Sequence, residues 1–103
     1  MATTPDPTIV ERVQTGVRME KQMLKVLKAL ADSLDITLGD LLEGIVLHAF
    51  EGKAPFSKPT LAKVAELKKV FGLVLDASHA HRLREKTRAG NSPDRDRTVR
   101  TVR

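Results

Sequence analysis

Residues able to carry out catalysis or to bind a metal ion are sparse in this sequence. It contains no cysteine, which excludes thiolate catalysis, disulfide bonds and Cys-ligated zinc. Its three histidines do not converge: His79 and His81 are two residues apart, which places them on different faces of a helix, and His48 lies in another segment. There is no glycine-rich phosphate loop and no clustered Ser/His/Asp arrangement. We therefore predict no enzyme, no metal site and no cofactor.

The positive charge of the chain is concentrated in its C-terminal half. Residues 1–56 contain six Lys or Arg and eight Asp or Glu, a net charge of −2. Residues 57–87 contain seven and three, and residues 88–103 contain five and two, so these segments carry +4 and +3. The three segments sum to the net charge of +5. Such basic segments attract phosphate, but only a local pattern can locate a binding face.

The elements that would position functional side chains begin with a predicted strand at residues 12–19. Apolar and polar residues alternate strictly there, and this period of two is typical of a strand with one buried face. The inward-facing residues are Val13, Thr15, Val17 and Met19. No second strand pattern follows, so the expected pairing partner is the same strand of a second copy.

Two helices are predicted after this strand. Residues 20–34 show an apolar stripe at helical spacing, and residues 38–50 are apolar on almost every side. Thr37 is the expected N-cap of the second helix, with Asp40 three residues later. A helix as apolar as 38–50 should be buried on most sides, as at the centre of a dimer.

The chain divides into four predicted parts. Residues 1–11 form a disordered arm, 12–52 the main domain, 57–87 a C-terminal helical extension and 88–103 a flexible basic tail. The third helix should begin between residues 57 and 59 and either run to about Lys86 or break near Gly72 or Ser78. Its basic residues leave open a contact with nucleic acid, and it could also be a lid over the dimer core or a tetramer interface; its apolar stripe favours packing.

Membrane insertion and secretion are not indicated by the sequence. The longest nearly apolar run, residues 44–50, is far too short to span a bilayer. The N-terminus lacks the basic start and apolar core of a signal peptide. We expect a cytoplasmic protein with no membrane partner.

The order of strand, helix, short turn and helix over residues 12–50 resembles the ribbon-helix-helix family of the Arc/MetJ type. The resemblance rests on the alternating strand that ends in Val-Arg-Met, on Ile36-Thr37 before the second helix, and on the spacing of the apolar helix residues. It implies a mainly α fold in which one N-terminal strand and two helices form an intertwined dimer, followed by the helical extension.

The family's DNA-binding mode, carried over to matching positions, implies a set of site residues. The two strands of the dimer pair as an antiparallel ribbon that enters the DNA major groove. Base contacts would then fall to Gln14, Gly16 and Arg18, of which Gly16 has no side chain to read a base. Phosphate contacts would come from Arg12, Lys21, Thr37, Leu38 and Gly39. The implied dimer core consists of Val13, Thr15, Val17, Met19, Leu27, Leu30, Leu42, Val46 and Phe50.

The function implied by the resemblance is that of a dimeric double-stranded DNA-binding transcriptional regulator, expected to be a repressor. Its partners would be DNA and a second copy, with a tetramer on DNA left open. An alternative is the antitoxin of a toxin–antitoxin pair, in which the N-terminal unit binds DNA and the C-terminal segment binds a toxin. A third is a dimeric scaffold without DNA binding, which the −2 charge of residues 1–56 keeps open.

Overall fold

The computed structural model describes residues 7–86. Within this range the chain forms three α-helices, α1 (Lys21–Ser33), α2 (Leu38–Phe50) and α3 (Lys58–Phe71), and a 3-10 helix at Ala77–His79. The first six residues of the predicted N-terminal arm and the whole of the predicted basic tail lie outside the described residues. No helix within residues 7–86 is long and apolar enough to cross a membrane.

The expectation of a mainly helical chain is confirmed, but the predicted ribbon-helix-helix fold is wrong. Residues 12–19 are not a strand, and residues 7–86 contain no strand at all. A strand is defined by hydrogen bonds to a neighbouring strand, and no other segment within residues 7–86 supplies them. The expected inward face is also not buried, since Val13 is 80% and Val17 74% exposed. The segment is an arm that lies on the outside of the helices.

Helix α1 begins at Glu20 and carries most of the core. The Glu20 carboxylate accepts a hydrogen bond of 2.7 Å from the backbone N–H of Met23, which satisfies one of the unpaired amides of the first turn. One face of the helix is buried. Val26, Leu30 and Ala31 lie on this face, and each is at most 6% exposed. These residues confirm the predicted apolar stripe.

A left-handed residue ends α1 and starts the turn to α2. Asp35 has φ +61°, and the backbone N–H groups of Asp35 and Ile36 donate to the carbonyls of Asp32 and Ala31 at 3.1 and 3.0 Å. This pair of bonds is the Schellman arrangement, which satisfies carbonyls that the helix leaves free. Ile36 consequently packs against the core.

Helix α2 begins at the predicted N-cap. The Thr37 hydroxyl accepts a hydrogen bond from the backbone N–H of Asp40 at 3.0 Å, which confirms the prediction. Leu41 is buried and Ile45 packs beside it, but the C-terminal half of the helix is exposed. The expectation that α2 is buried on most sides is therefore not met within one chain.

Helix α3 packs against α1 and adds side chains to the same core. Ser57 is its N-cap, and Val64 and Leu67 reach the core together with Phe56 of the linker. The helix stops at Phe71 because Gly72 takes the left-handed conformation, φ +69°. The break is thus at Gly72, the first of the predicted positions.

The resulting core is small. Helix α1 packs against both other helices, whereas α2 and α3 do not contact each other. Only four hydrophobic side chains of the described residues are buried, and the exposed large hydrophobic side chains outnumber them three to one. A folded unit with so little buried apolar surface gains little stability from its core, which favours association with a partner.

Candidate nucleic-acid interface

The arm formed by residues 7–18 displays its side chains to solvent. Every residue of this segment is exposed, and it leads directly into Glu20, the N-cap of α1. The arm therefore projects polar and apolar groups alike. Its position is fixed by side-chain contacts at two arginines.

Arg12 joins the arm to α2. Its Nε and Nη2 atoms donate to the two carboxylate oxygens of Glu43 at 2.7 and 2.6 Å, a bidentate pair. These hydrogen bonds, and then the attraction of the opposite charge, lower the pKa of Glu43 and raise the pKa of Arg12. The charge of Asp40 adds a smaller increase to the pKa of Arg12, so Arg12 faces two carboxylates of α2.

Arg18 joins the arm to the segment that follows α3. Its Nε donates to Glu85 at 3.0 Å and its Nη2 contacts the other carboxylate oxygen of Glu85. Nearby, the Gln22 side-chain amide donates to the backbone carbonyl of Phe71 at 2.6 Å. The start of α1 is therefore in contact with the end of α3 and with the chain beyond it.

The other two predicted base-contact residues are open to solvent. Gln14 is exposed between the two arginines. A Cβ atom added at Gly16 would meet no atom of the described residues within 4 Å, so none of these residues requires a glycine there. Arg12, Gln14 and Arg18 thus lie on one exposed segment, but this segment is not the strand on which the predicted site was placed.

Helix α1 continues this segment with a lysine face. Lys21, Lys25 and Lys28 follow one another at i, i+4 and i+7, which places them on the same side of the helix, and all three are exposed. Residues 12–28 contain five Lys or Arg and one Asp or Glu, a net charge of +4. That single acidic residue, Glu20, is engaged in capping α1. This concentration of positive charge is masked when the first 56 residues are counted together.

The N-terminus of α2 also faces outward. Thr37 and Gly39 are exposed and Leu38 is half-buried. The N–H of Asp40 is already bonded to Thr37, and the N–H groups of Leu38 and Gly39 precede the first intrahelical bond. These amides are suited to a phosphate, but Asp40 and Glu43 bring negative charge to the same half of the helix.

The predicted dimer-core residues divide into three groups by their exposure. Leu30 is 1% exposed and belongs to the core of the single chain, and Leu27 packs against it. Met19 and Leu42 are half-buried. The exposed members are Val13, Thr15, Val17, Val46 and Phe50.

The histidines are not brought together as a metal site. Within residues 7–86, no group of three or more His, Asp or Glu side chains could hold a metal ion. The His79 ring nitrogen Nδ1 accepts a hydrogen bond from the backbone N–H of Asp76, and His48 Nδ1 lies 2.7 Å from the Gly44 carbonyl oxygen. Both rings therefore interact with nearby backbone.

Sequence reasoning missed the carboxylates that hold the arm, and of the lysine face it assigned only Lys21 to the DNA site. Glu43 and Glu85 are 31 and 67 residues away from their arginines, and no periodic pattern connects such distant positions. The lysine face could have been found, because its i, i+4, i+7 spacing is visible in the sequence.

No family model matches the sequence, and neither the curated proteins nor the solved structures contain a significant match to it.

Proposed function

We propose that this protein is a transcriptional regulator that binds double-stranded DNA through its N-terminal arm and the adjoining lysine face of α1. The observation that carries the proposal is the concentration of five exposed Lys and Arg residues within residues 12–28, from Arg12 on the arm to Lys28 on the helix. Phosphate contacts by Lys and Arg supply most of the affinity of proteins for DNA. The simplest regulatory outcome is repression by occupancy of the bound site.

The spacing of the arm arginines suits a duplex. Arg18 lies six positions after Arg12, and an extended chain covers roughly 20 Å over that length. This distance corresponds to about six base-pair steps, at roughly 3.4 Å per step. Gln14 lies between the arginines, and Gln and Arg are the side chains that pair bidentately with adenine and guanine. The arm would therefore supply both phosphate contacts and a limited reading of sequence.

The active form that we propose is a homodimer. The C-terminal half of α2 exposes Val46, Leu47 and Phe50, the last at 81%. A monomer rarely leaves such a group of neighbouring apolar side chains in water, and a second copy of the same surface is self-complementary under two-fold symmetry. Two arms would then be available for one DNA site.

The test is DNA binding by the full chain and by Arg18→Ala, measured as a function of salt. If each protomer neutralises five phosphates, the slope of log affinity against log salt is about −4.5 per protomer. Arg18→Ala should weaken binding and reduce the magnitude of that slope by about one. Selection from a random duplex pool should show a sequence preference that Arg18→Ala relaxes.

Lys58→Ala is the matched control, because it removes one positive charge from the exposed start of α3. It should leave affinity nearly unchanged. Equal losses in the two variants would contradict an arm-based interface and would indicate attraction by overall charge alone.

A second candidate function, the antitoxin role, is favoured by apolar side chains around the end of α3. Val70 is 68%, Val74 84% and Leu83 48% exposed, and no described residue covers them. A toxin bound there would bury them. The proposal predicts copurification with the product of an adjacent toxin-sized reading frame, and loss of that complex in Val74→Asp.

A further inference from the structure

Both arginines of the proposed DNA interface are held by carboxylates from outside the arm. Glu43 belongs to α2, and Glu85 lies in the segment beyond the 3-10 helix, so the arm is fixed to two separate parts of the fold. In each pair, Nε and Nη2 of the arginine face the two oxygens of one carboxylate. Bidentate pairing of this kind fixes orientation as well as supplying energy.

A phosphate or a guanine can engage the same guanidinium edges. An arginine donates through one planar fork to carboxylate, phosphate or base with the same geometry. While a carboxylate occupies the Nε/Nη2 edge of Arg12 or Arg18, that edge of the guanidinium cannot bind DNA. The paired carboxylates also cancel two of the five positive charges of residues 12–28.

We propose that Glu43 and Glu85 form an autoinhibitory clasp, in which they compete with DNA for Arg12 and Arg18 and so set the DNA affinity of the protein. The inference rests on the proposed function and adds its regulation. The C-terminal segment is part of the device, because any partner that draws Glu85 away from the arm frees Arg18 for DNA. The clasp is weak enough to open, since both pairs are exposed to solvent.

The size of the effect follows from the exposure of the pairs. Ion pairs at a protein surface contribute little, so removal of either carboxylate should tighten DNA binding by roughly two- to five-fold. Glu43→Gln and Glu85→Gln should each produce such a gain at low salt, and the double variant a larger one. Glu66→Gln is the matched control, because its carboxylate pairs with Lys63 on α3 and not with the arm.

A double-substitution cycle separates the clasp from a general charge effect. If Glu85 acts by holding Arg18, then Glu85→Gln should have no effect in an Arg18→Ala background. If it acts only by repelling DNA, the gain should persist there. Persistence of the gain would therefore overturn the proposal.

A direct readout without DNA comes from a spin label on the arm. The chain has no cysteine, and a side chain at Gly16 meets nothing within 4 Å, so Gly16→Cys provides a single labelling site. Glu43→Gln and Glu85→Gln should each increase the mobility of the label, and Glu66→Gln should not. Unchanged mobility in the two clasp variants would overturn the proposal.

The two proposals fail in different ways. If the unsubstituted protein binds DNA but Glu43→Gln and Glu85→Gln bind no tighter than Glu66→Gln, only the clasp is contradicted. If none of the proteins binds duplex DNA at low salt, the proposed function is contradicted, and the autoinhibition with it.

Discussion

Ionisation of Glu43 controls whether Arg12 remains attached to α2. The hydrogen bonds from Arg12, and then its positive charge, hold the pKa of this carboxyl below its ordinary value. A lowered pKa means that the attachment is fully present above the ordinary pKa of a glutamate and is lost as the pH falls through the lowered one. The arm should therefore stay attached at neutral pH and be released in acid.

This pH dependence can be measured with the spin label at Gly16→Cys in a Glu85→Gln background, where Arg12–Glu43 is the remaining pair. In this background we expect the label to be less mobile at pH 7, where the remaining pair holds the arm, than at a pH below the ordinary range of a glutamate. A matched sample that also carries Glu43→Gln should be mobile at pH 7, and a pH response of the same size in that sample would rule out Glu43 as the cause.

The turn between α1 and α2 holds Asp35 in a conformation that costs an L-residue energy. Its φ of +61° lies in the left-handed region, where a non-glycine residue loses roughly 1–2 kcal/mol. Glycine avoids this cost but loses more entropy on folding, by about 0.5–1 kcal/mol. We predict that Asp35→Gly raises the free energy of unfolding by about 0.5–1 kcal/mol, the order of the difference between these terms.

Chemical denaturation followed by helical circular dichroism measures this change. Asp35→Asn is the matched control, because it removes the negative charge at the C-terminus of α1 and keeps a residue that tolerates the left-handed region. Asp35→Asn should raise the free energy of unfolding by less than Asp35→Gly does. Asp35→Val should lower it, because a branched Cβ is strained in the left-handed region. If Asn and Gly stabilise equally, charge and not backbone conformation explains the effect.

Local signals account for the elements that the sequence predicted correctly. The N-cap at Thr37 and the break at Gly72 depend on one or two neighbouring residues, and the apolar stripe of α1 on a period of 3.6. The strand prediction at 12–19 failed because alternation indicates an extended backbone and not the neighbour that completes a sheet. The candidate site was predicted as far as Arg12, Gln14 and Arg18 share one exposed segment.

The partners of those arginines required the tertiary fold. Glu85 reaches Arg18 only because α3 packs back on α1 and stops at Gly72, which returns the chain toward the arm. Glu43 reaches Arg12 because the turn at Asp35 sets α2 beside the path of the arm. Neither proximity has a counterpart in the spacing of the sequence.

At the scale of the whole molecule, buried apolar surface lies on one side of α2 and exposed apolar surface on the other. Leu41 and Ile45 face α1, whereas Val46, Leu47 and Phe50 face solvent. Because α3 packs on α1 and not on α2, nothing within the described residues covers this outer face. A second copy that docks there would bury apolar surface that the single chain cannot bury by itself.

Phe50→Ser tests this dimer with little effect on the fold of one chain. Phe50 is 81% exposed, so its removal sacrifices almost no packing within a protomer. In a two-fold dimer each copy contributes its own Phe50, and full burial of one phenylalanine side chain is worth about 1.5–3 kcal/mol. Loss of both Phe50 side chains should raise the dimer dissociation constant by a factor of roughly one hundred or more, at about 1.4 kcal/mol per factor of ten.

Sedimentation analysis over a range of concentrations gives the dimer dissociation constant, and circular dichroism reports whether the helices persist. Leu61→Ser is the matched control, since Leu61 is an exposed hydrophobic residue of α3, 51% exposed, away from α2. It should leave dimerisation unchanged, whereas Phe50→Ser should give a monomer with its helices retained and a melting temperature that no longer rises with concentration. An unsubstituted protein that sediments as a monomer at high concentration would contradict the dimer, and each DNA site would then have to be bound by a single arm with at most two base-reading side chains, Gln14 and Arg18.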